Sequence, residues 1–470
     1  MDRRSFISRL AVSTGGLALA CGGLGKRAET LAATGDLSRL RAYGYGELVP
    51  MAAKNTGETM LSLPRGFEYN VLGKHGSVMS DGRQTPPRHD GMWTFKVGRE
   101  LRIVRNHEVS NFRLPRPSAA IAKDFHYDEM AGGGTTTLII DPRKRTVIRD
   151  FVSLSGTLIN CAGGPTPWGS WISCEETTVG PTVVTLPSGA KVGGFPKPHG
   201  YCFEVQASAN NNMPPVPLKS MGRFVHEAVA VDRKSGVVYL TEDYNPSGLY
   251  RFIPRRNKRL AEGGVLQMLA VAGKSEYDTR RGQKQGTRLP VSWVTIDNPD
   301  PAAADTDPLA VYKQGSAKGG AAFARLEGCV TDDDGRVYFT ATIGGDNRGG
   351  QIWVYEPTSR DGGQLTLVFE SPSRDILDMP DNVCLMPDSR LLFVCEDSDY
   401  VGEGGNPDVF VRILTPDGRM ANFAKNIVPK LERTEFAGTC FSKDGNTLFV
   451  NIYAAGVTCA IWGDWKSFRV

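Results

Sequence analysis

His226 to Asp243 reads HEAVAVDRKSGVVYLTED, and the way this stretch folds decides how the whole chain folds. An apolar run opened by His226-Glu227 meets the polar residues Asp232 to Gly236, and a second run, Val237 to Leu240, closes on Glu242-Asp243. β-Branched and aromatic residues in short runs, bounded by Gly, Asp and Ser, signal a strand, a turn and a strand. The pattern recurs. Glu327-Gly328-Cys329-Val330 leads through Asp332 to Gly335 into Val337 to Thr340, and Asp381-Asn382-Val383-Cys384 leads through Pro387-Asp388-Ser389 into Leu391 to Asp397. Glu435 to Thr439 leads through Lys443-Asp444-Gly445 into Thr447 to Asn451. NCAGGPTPWGSWISCEET, from Asn160 to Thr177, is a fifth copy, and His89-Asp90-Gly91-Met92 to Glu108 is a looser sixth.

In each clear copy the second polar cluster follows the first by roughly 15 residues, the length of two short strands and their turn. Third strands follow, such as Gly248 to Ile253 and Gln351 to Tyr355. A strand-rich unit repeated about six times with Gly/Asp turns predicts an all-β chain folded as a six-bladed β-propeller with inserted loops. Arg255 to Ala324 is the largest insertion; within it Gly273 to Arg288, charged and rich in glycine, reads as a surface loop, and Arg65 to Leu72 is a strand placed to close the ring.

The ends and the composition bound the rest. Arg3-Arg4-Ser5-Phe6-Ile7 and the small, weakly apolar run Leu10 to Ala20 form a twin-arginine export signal, too short to span a bilayer as an anchor. Residues 1–33 are therefore a signal region and 34–470 a single propeller domain, periplasmic or secreted, with the twin-arginine export machinery as partner. Cys21 is a candidate lipid anchor, and cleavage near Ala32-Ala33 is the alternative. Of nine cysteines, eight remain after a signal containing Cys21, with no CxxC spacing; Cys384 and Cys395 flank a turn. A net charge of +4 from 55 basic and 51 acidic residues, without a basic stripe, excludes a nucleic-acid platform. No transmembrane segment is expected in the mature chain, and a monomer is.

In a propeller the first strand of each blade lines the channel, and its hairpin returns the second polar cluster to the same mouth. The clusters that converge include Glu108, Glu175-Glu176, Glu227, Glu242-Asp243, Glu327, Asp381-Asn382, Glu396-Asp397 and Glu435, with Cys161 among them. A single Glu at a strand end is most often merely solvated, whereas carboxylates at equivalent positions of every repeat would repel one another unless cations neutralised them. Oxygen ligands suit calcium or magnesium; a thiolate beside carboxylates suits iron or zinc. Cys161 alone reads equally as a small buried residue. His107 and His226, each preceding a Glu, read as channel-wall donors to carboxylates or as ligands. Asp332 to Gly335 sits at the opposite hairpin end without a downstream Glu, so it reads as a solvated turn.

NHE at 106, NCAGG, TPWGSW and CEE between 160 and 176, GRFVHEA at 222 and TLFVNI at 447 together resemble the PhoX family, exported alkaline phosphatases with a six-bladed propeller fold. The resemblance implies two ferric ions and two or three calcium ions joined by a bridging oxo group. It implies Cys161, Glu176, Glu227, Glu327, Asp381 and Glu435 as ligands, with Glu108 and Asp243 as companions; Glu175, Asn382 and Asp397 complete the candidate metal set from the repeats. Arg325, two residues before Glu327, matches the family's arginine that grips the substrate phosphate. The implied reaction is hydrolysis of a phosphate ester by a metal-activated oxygen nucleophile, and no GxSxG or Ser/His pair suggests a protein nucleophile. Leu326 stands where the family commonly has proline, and Ser153-Leu154 where a phosphate-binding lysine is expected. A calcium-dependent propeller lactonase or esterase, and a non-catalytic metal-stabilised binding propeller, are the competing readings.

Overall fold

The structure is a computed structural model, and it describes residues 44–110, 125–186, 188–397 and 408–469. The signal region and Cys21 lie outside the described residues. Those residues are mostly β, and among them the α-helix is confined to Ala310–Ser316, with a few short 3-10 turns.

Six strands organise the molecule: His89–Val97, Asn160–Pro165, His226–Val231, Leu326–Thr331, Pro380–Leu385 and Phe436–Phe441. Each packs against the next and the last against the first, closing a circuit around a central channel. Each also pairs antiparallel with the strand that follows it: Glu100–His107, Ser170–Glu175, Val238–Glu242, Val337–Ala341, Leu392–Glu396 and Leu448–Ile452. Third strands lie outside these, among them Leu249–Pro254 and Gln351–Pro357. Glu68–Leu72 joins Val457–Trp462, so the two ends of the propeller region share one sheet.

Hydrogen bonding crosses the repeat boundaries. Arg288–Thr295 pairs with Gly362–Glu370 and fuses two repeats into a nine-stranded sheet, while Leu48–Ala52 and Thr59–Pro64 extend another to six strands. The insertion from Arg255 to Ala324 is thus not only loop: its strands Gly264–Val271 and Arg288–Thr295 cover a sheet edge that would otherwise stand open. Apolar side chains fill the space between repeats, as where Ile172 and Cys174 of one pack with Val229, Leu240 and Phe252 of the next. Cys384 faces Phe393 across its hairpin and Cys395 faces Val411, so they do not pair; all eight described cysteines are free and buried.

One local device repeats in all six inner strands. Their register slips at the same place: between His89 and Met92, Asn160 and Gly163, His226 and Val229, Leu326 and Cys329, Pro380 and Val383, and Ala437 and Cys440. Such a bulge bends a strand and re-aims a side chain. Arg88, Ile159, Arg325 and Met379, immediately before four of these strands, are left-handed at φ 53°, 49°, 50° and 52°. Non-glycine residues held there cost about 1–3 kcal/mol each and collect at functional sites. The strands also approach closely at the bulge. A Cβ on Gly91 would lie 2.5 Å from Ala162 Cα, and one on Gly328 2.4 Å from the Asp381 carbonyl oxygen.

Candidate functional site

The bulges decide what faces the channel. Asp90, Cys161, Glu227, Glu327 and Asp381 each occupy the bulge of their strand, and all five line a cavity of about 230 Å³ in the channel mouth. Glu108, Glu176, Asp397 and Tyr453, each one residue beyond the end of a second strand, line the same cavity, with Glu435 and Arg325. Asp243 holds the equivalent position and carries Arg325: Nε donates to Asp243 Oδ1 at 2.9 Å and Nη2 to Oδ2 at 3.0 Å. Arg325 Nη2 also donates to Glu327 Oε1 at 2.7 Å, and Nη1 lies 3.6 Å from Asp397 Oδ2.

Three groups of donors in this mouth are close enough to share an ion: Cys161 with Glu176 and Glu227, Asp90 with Glu108 and Glu435, and Glu227 with Glu327 and Asp381. Glu227 belongs to two of them. The first joins one sulfur to carboxylates and the others are all oxygen, a division that fits a transition metal beside harder cations. Burial, then mutual repulsion, pushes the carboxyls of Asp90, Glu176, Glu227, Glu327, Asp381 and Glu435 well above their ordinary range. Burial with Glu227 and Glu176 beside it does the same to the Cys161 thiol. A metal ion would reverse both effects, since its charge favours the deprotonated ligands. Burial opposes the charge on Arg325, but Glu327 and Asp243 outweigh it and raise its pKa.

Four of the acidic and amide candidates read from sequence do other work. Glu175 points away from the channel: its oxygens accept from Leu158 N at 2.9 Å, His199 Nδ1 at 2.6 Å, Gly200 N at 2.8 Å and Tyr201 N at 3.1 Å. Strand alternation is the reason, for consecutive side chains face opposite ways, so only the second acid of Glu175-Glu176 reaches the mouth. Glu242-Asp243 and Glu396-Asp397 divide alike. Glu242 binds Gly248 N and Tyr250 Oη, and Glu396 binds Arg412 Nε, Asp378 N and Phe410 N. Asn382 backs the site: Nδ2 donates to Asp381 Oδ1 at 2.7 Å and Oδ1 accepts from Gly438 N at 2.6 Å. The histidines do not meet channel carboxylates. His107 contacts the Pro87 carbonyl and Thr136, and His226 contacts the Gly222 carbonyl and Cys202 Sγ.

Asp90 and Tyr453 escaped the candidate set. Both hold repeat positions that their neighbours signalled: Asp90 follows His89 as Glu227 follows His226, and Tyr453 follows its strand as Asp243 follows Glu242. Tyr453 Oη donates to Glu108 Oε2 and receives Arg88 Nη1 at 2.6 Å, which fixes the Glu108 carboxylate.

Residues 44–456 match the model of the family described as alkaline phosphatase PhoX. The chain belongs to the PhoX family. As a member it is a metal-dependent phosphatase, a phosphoric ester hydrolase. Among solved structures it is similar to Pseudomonas fluorescens PhoX in complex with vanadate, a transition state analogue, at 19% identity and a TM-score of 0.66, over 92% of this chain and 99% of that one. A gluconolactonase of Xanthomonas campestris aligns at 9% identity and a TM-score of 0.41, over 90% of this chain and 97% of that one. No curated protein matches the chain.

Proposed function

We propose that this PhoX-family phosphatase is a six-bladed propeller that holds a mixed iron–calcium cluster in the channel mouth. The six inner strands, each with its own hairpin, support the blade count. The observation that carries the metal assignment is the triad Cys161, Glu176 and Glu227, joined through Glu227 to an all-oxygen triad. Cys161 and its carboxylates would hold the two ferric ions, and Asp90, Glu108, Glu327, Asp381 and Glu435 would take up two or three calcium ions between them, with Asp243 and Asp397 nearby. When bound, the ions supply Lewis-acid charge for the ester phosphate and an oxygen nucleophile active near neutral pH.

The chain's own residues supply orientation. Asp243 and Glu327 take up Nε and Nη2 of Arg325 and so seat the guanidinium at the cavity wall, which leaves the two N–H groups of Nη1 to meet a phosphate oxygen. Tyr453 and Arg88 keep Glu108 in one rotamer. Close-packed strand bulges hold the donors at fixed spacing, so little reorganisation remains at the moment of reaction. The twin-arginine signal would export the protein already folded, which fits a site assembled from all six repeats. Hydrolysis of an aryl phosphate before and after treatment with a calcium chelator tests the reading: activity should fall and return with added calcium, and chelator-resistant activity would contradict it.

A further inference from the structure

A second cavity, of about 380 Å³, is lined by Asn245, Asp278, Arg280, Arg281, Ala324, Ile343 and Arg348. Its charge is opposite to that of the channel: three guanidiniums face one carboxylate. Arg280 is fixed in place, paired with Asp278 through Nε at 2.9 Å and Nη2 at 2.8 Å while Nη1 donates to Asn245 Oδ1 at 3.0 Å. Among the described residues the guanidiniums of Arg281 and Arg348 carry no hydrogen bond or ion pair, so their donors remain available.

The cavity also lies one chain step from the phosphate clamp. Arg325 N donates to the Tyr244 carbonyl at 2.9 Å, and Thr342 N donates to the Arg325 carbonyl at 2.8 Å. Asn245, Ala324 and Ile343, which line the basic cavity, are the chain neighbours of those three residues, about 4 Å away along the backbone. The segment Gly273 to Arg288, which reads in sequence as a plain surface loop, is the far wall. It is fastened there: Thr279 N donates to the Ala322 carbonyl at 2.9 Å, Gly345 N to the Arg280 carbonyl at 2.9 Å, and Gly282 N to Asp346 Oδ1 at 2.8 Å.

We propose that this cavity is an anion subsite that takes a second phosphate of the substrate, so that the preferred substrates carry two or more phosphates, as nucleoside diphosphates and sugar bisphosphates do. It rests on the reading of Arg325 as the clamp for the phosphate that reacts. Guanidiniums with free donors match phosphate oxygens, and a second phosphate held there orients the ester in the channel.

The test compares kcat/KM for ADP, a sugar bisphosphate and 4-nitrophenyl phosphate in the metal-loaded enzyme and its R281Q/R348Q variant. The double substitution should lower the ratio of the diphosphorylated substrates to the aryl phosphate by about tenfold or more, mainly through KM. Loss with both substrates identifies the second phosphate as the ligand, and loss with ADP alone assigns the subsite to nucleotides. An unchanged ratio in an active enzyme, or an equal fall in the Arg256→Gln control on another surface, overturns the subsite while leaving the phosphatase reading intact. A wild-type enzyme that hydrolyses no 4-nitrophenyl phosphate overturns both.

Discussion

Arg325 lies flat against Asp243, its Nε and Nη2 donating to the two carboxylate oxygens at 2.9 and 3.0 Å. The pair gives the Arg325 guanidinium, proposed above as the phosphate clamp, a fixed plane, and Arg325 has a left-handed backbone at φ 50°.

Arg325→Ala should lower kcat/KM for an aryl phosphate by about a hundredfold or more, on the scale of losing one oriented donor. Arg325→Lys should recover little, because an ammonium cannot pair with both oxygens of Asp243 and still present a donor to the phosphate. Steady-state kinetics at matched metal content checks this, and activity near that of the parent enzyme in Arg325→Lys would count against the clamp.

Cys161→Ser keeps the size of the side chain and removes the one sulfur among the three donor groups. The variant should fold, retain calcium and lose most of its iron, with activity falling in proportion. Elemental analysis beside a thermal melt separates loss of metal from loss of fold.

Glu175 and Glu176 are adjacent and should respond in opposite ways. Glu175→Ala strips four hydrogen bonds from buried partners, including His199, and should destabilise the protein by about 3–5 kcal/mol in urea unfolding. Glu176→Gln removes one charge from a repelling buried cluster, so the chelated protein should become more stable while the enzyme loses activity.

His199 gives the pH dependence a direction. Burial alone would lower its pKa, but Glu175 and Asp128 outweigh burial and raise it to about 9. A His raised in the folded state contributes stability that is complete below its unfolded value of about 6.5 and lost as the pH climbs through about 9. Unfolding free energy should therefore decline across that interval, and His199→Gln should flatten the decline. An identical slope in the variant would show that another group carries it.

Much of this was legible in the sequence. The spacing of His226-Glu227 and Glu242-Asp243 is the spacing of a hairpin whose ends meet, so the repeats placed nearly every channel carboxylate in one mouth. What they concealed depends on single-residue alternation. Nothing in the letters Glu175-Glu176 says which acid faces inward, because that follows from where the strand ends and the bulge falls. Asp90 and Tyr453 were hidden differently: the first copy is loose in sequence, and an aromatic residue standing at an acid's position does not look like part of a metal site. The 273–288 segment has no repeat signal at all, and its role as a wall depends on long-range hydrogen bonds to Ala322 and Gly345.

The central claim is that Cys161 makes this an iron-containing propeller and not a purely calcium-bound one. Elemental analysis of the protein purified after export from its native host tests it most directly. The expected result is iron and calcium together in one active preparation; active enzyme containing calcium but no iron would contradict the account.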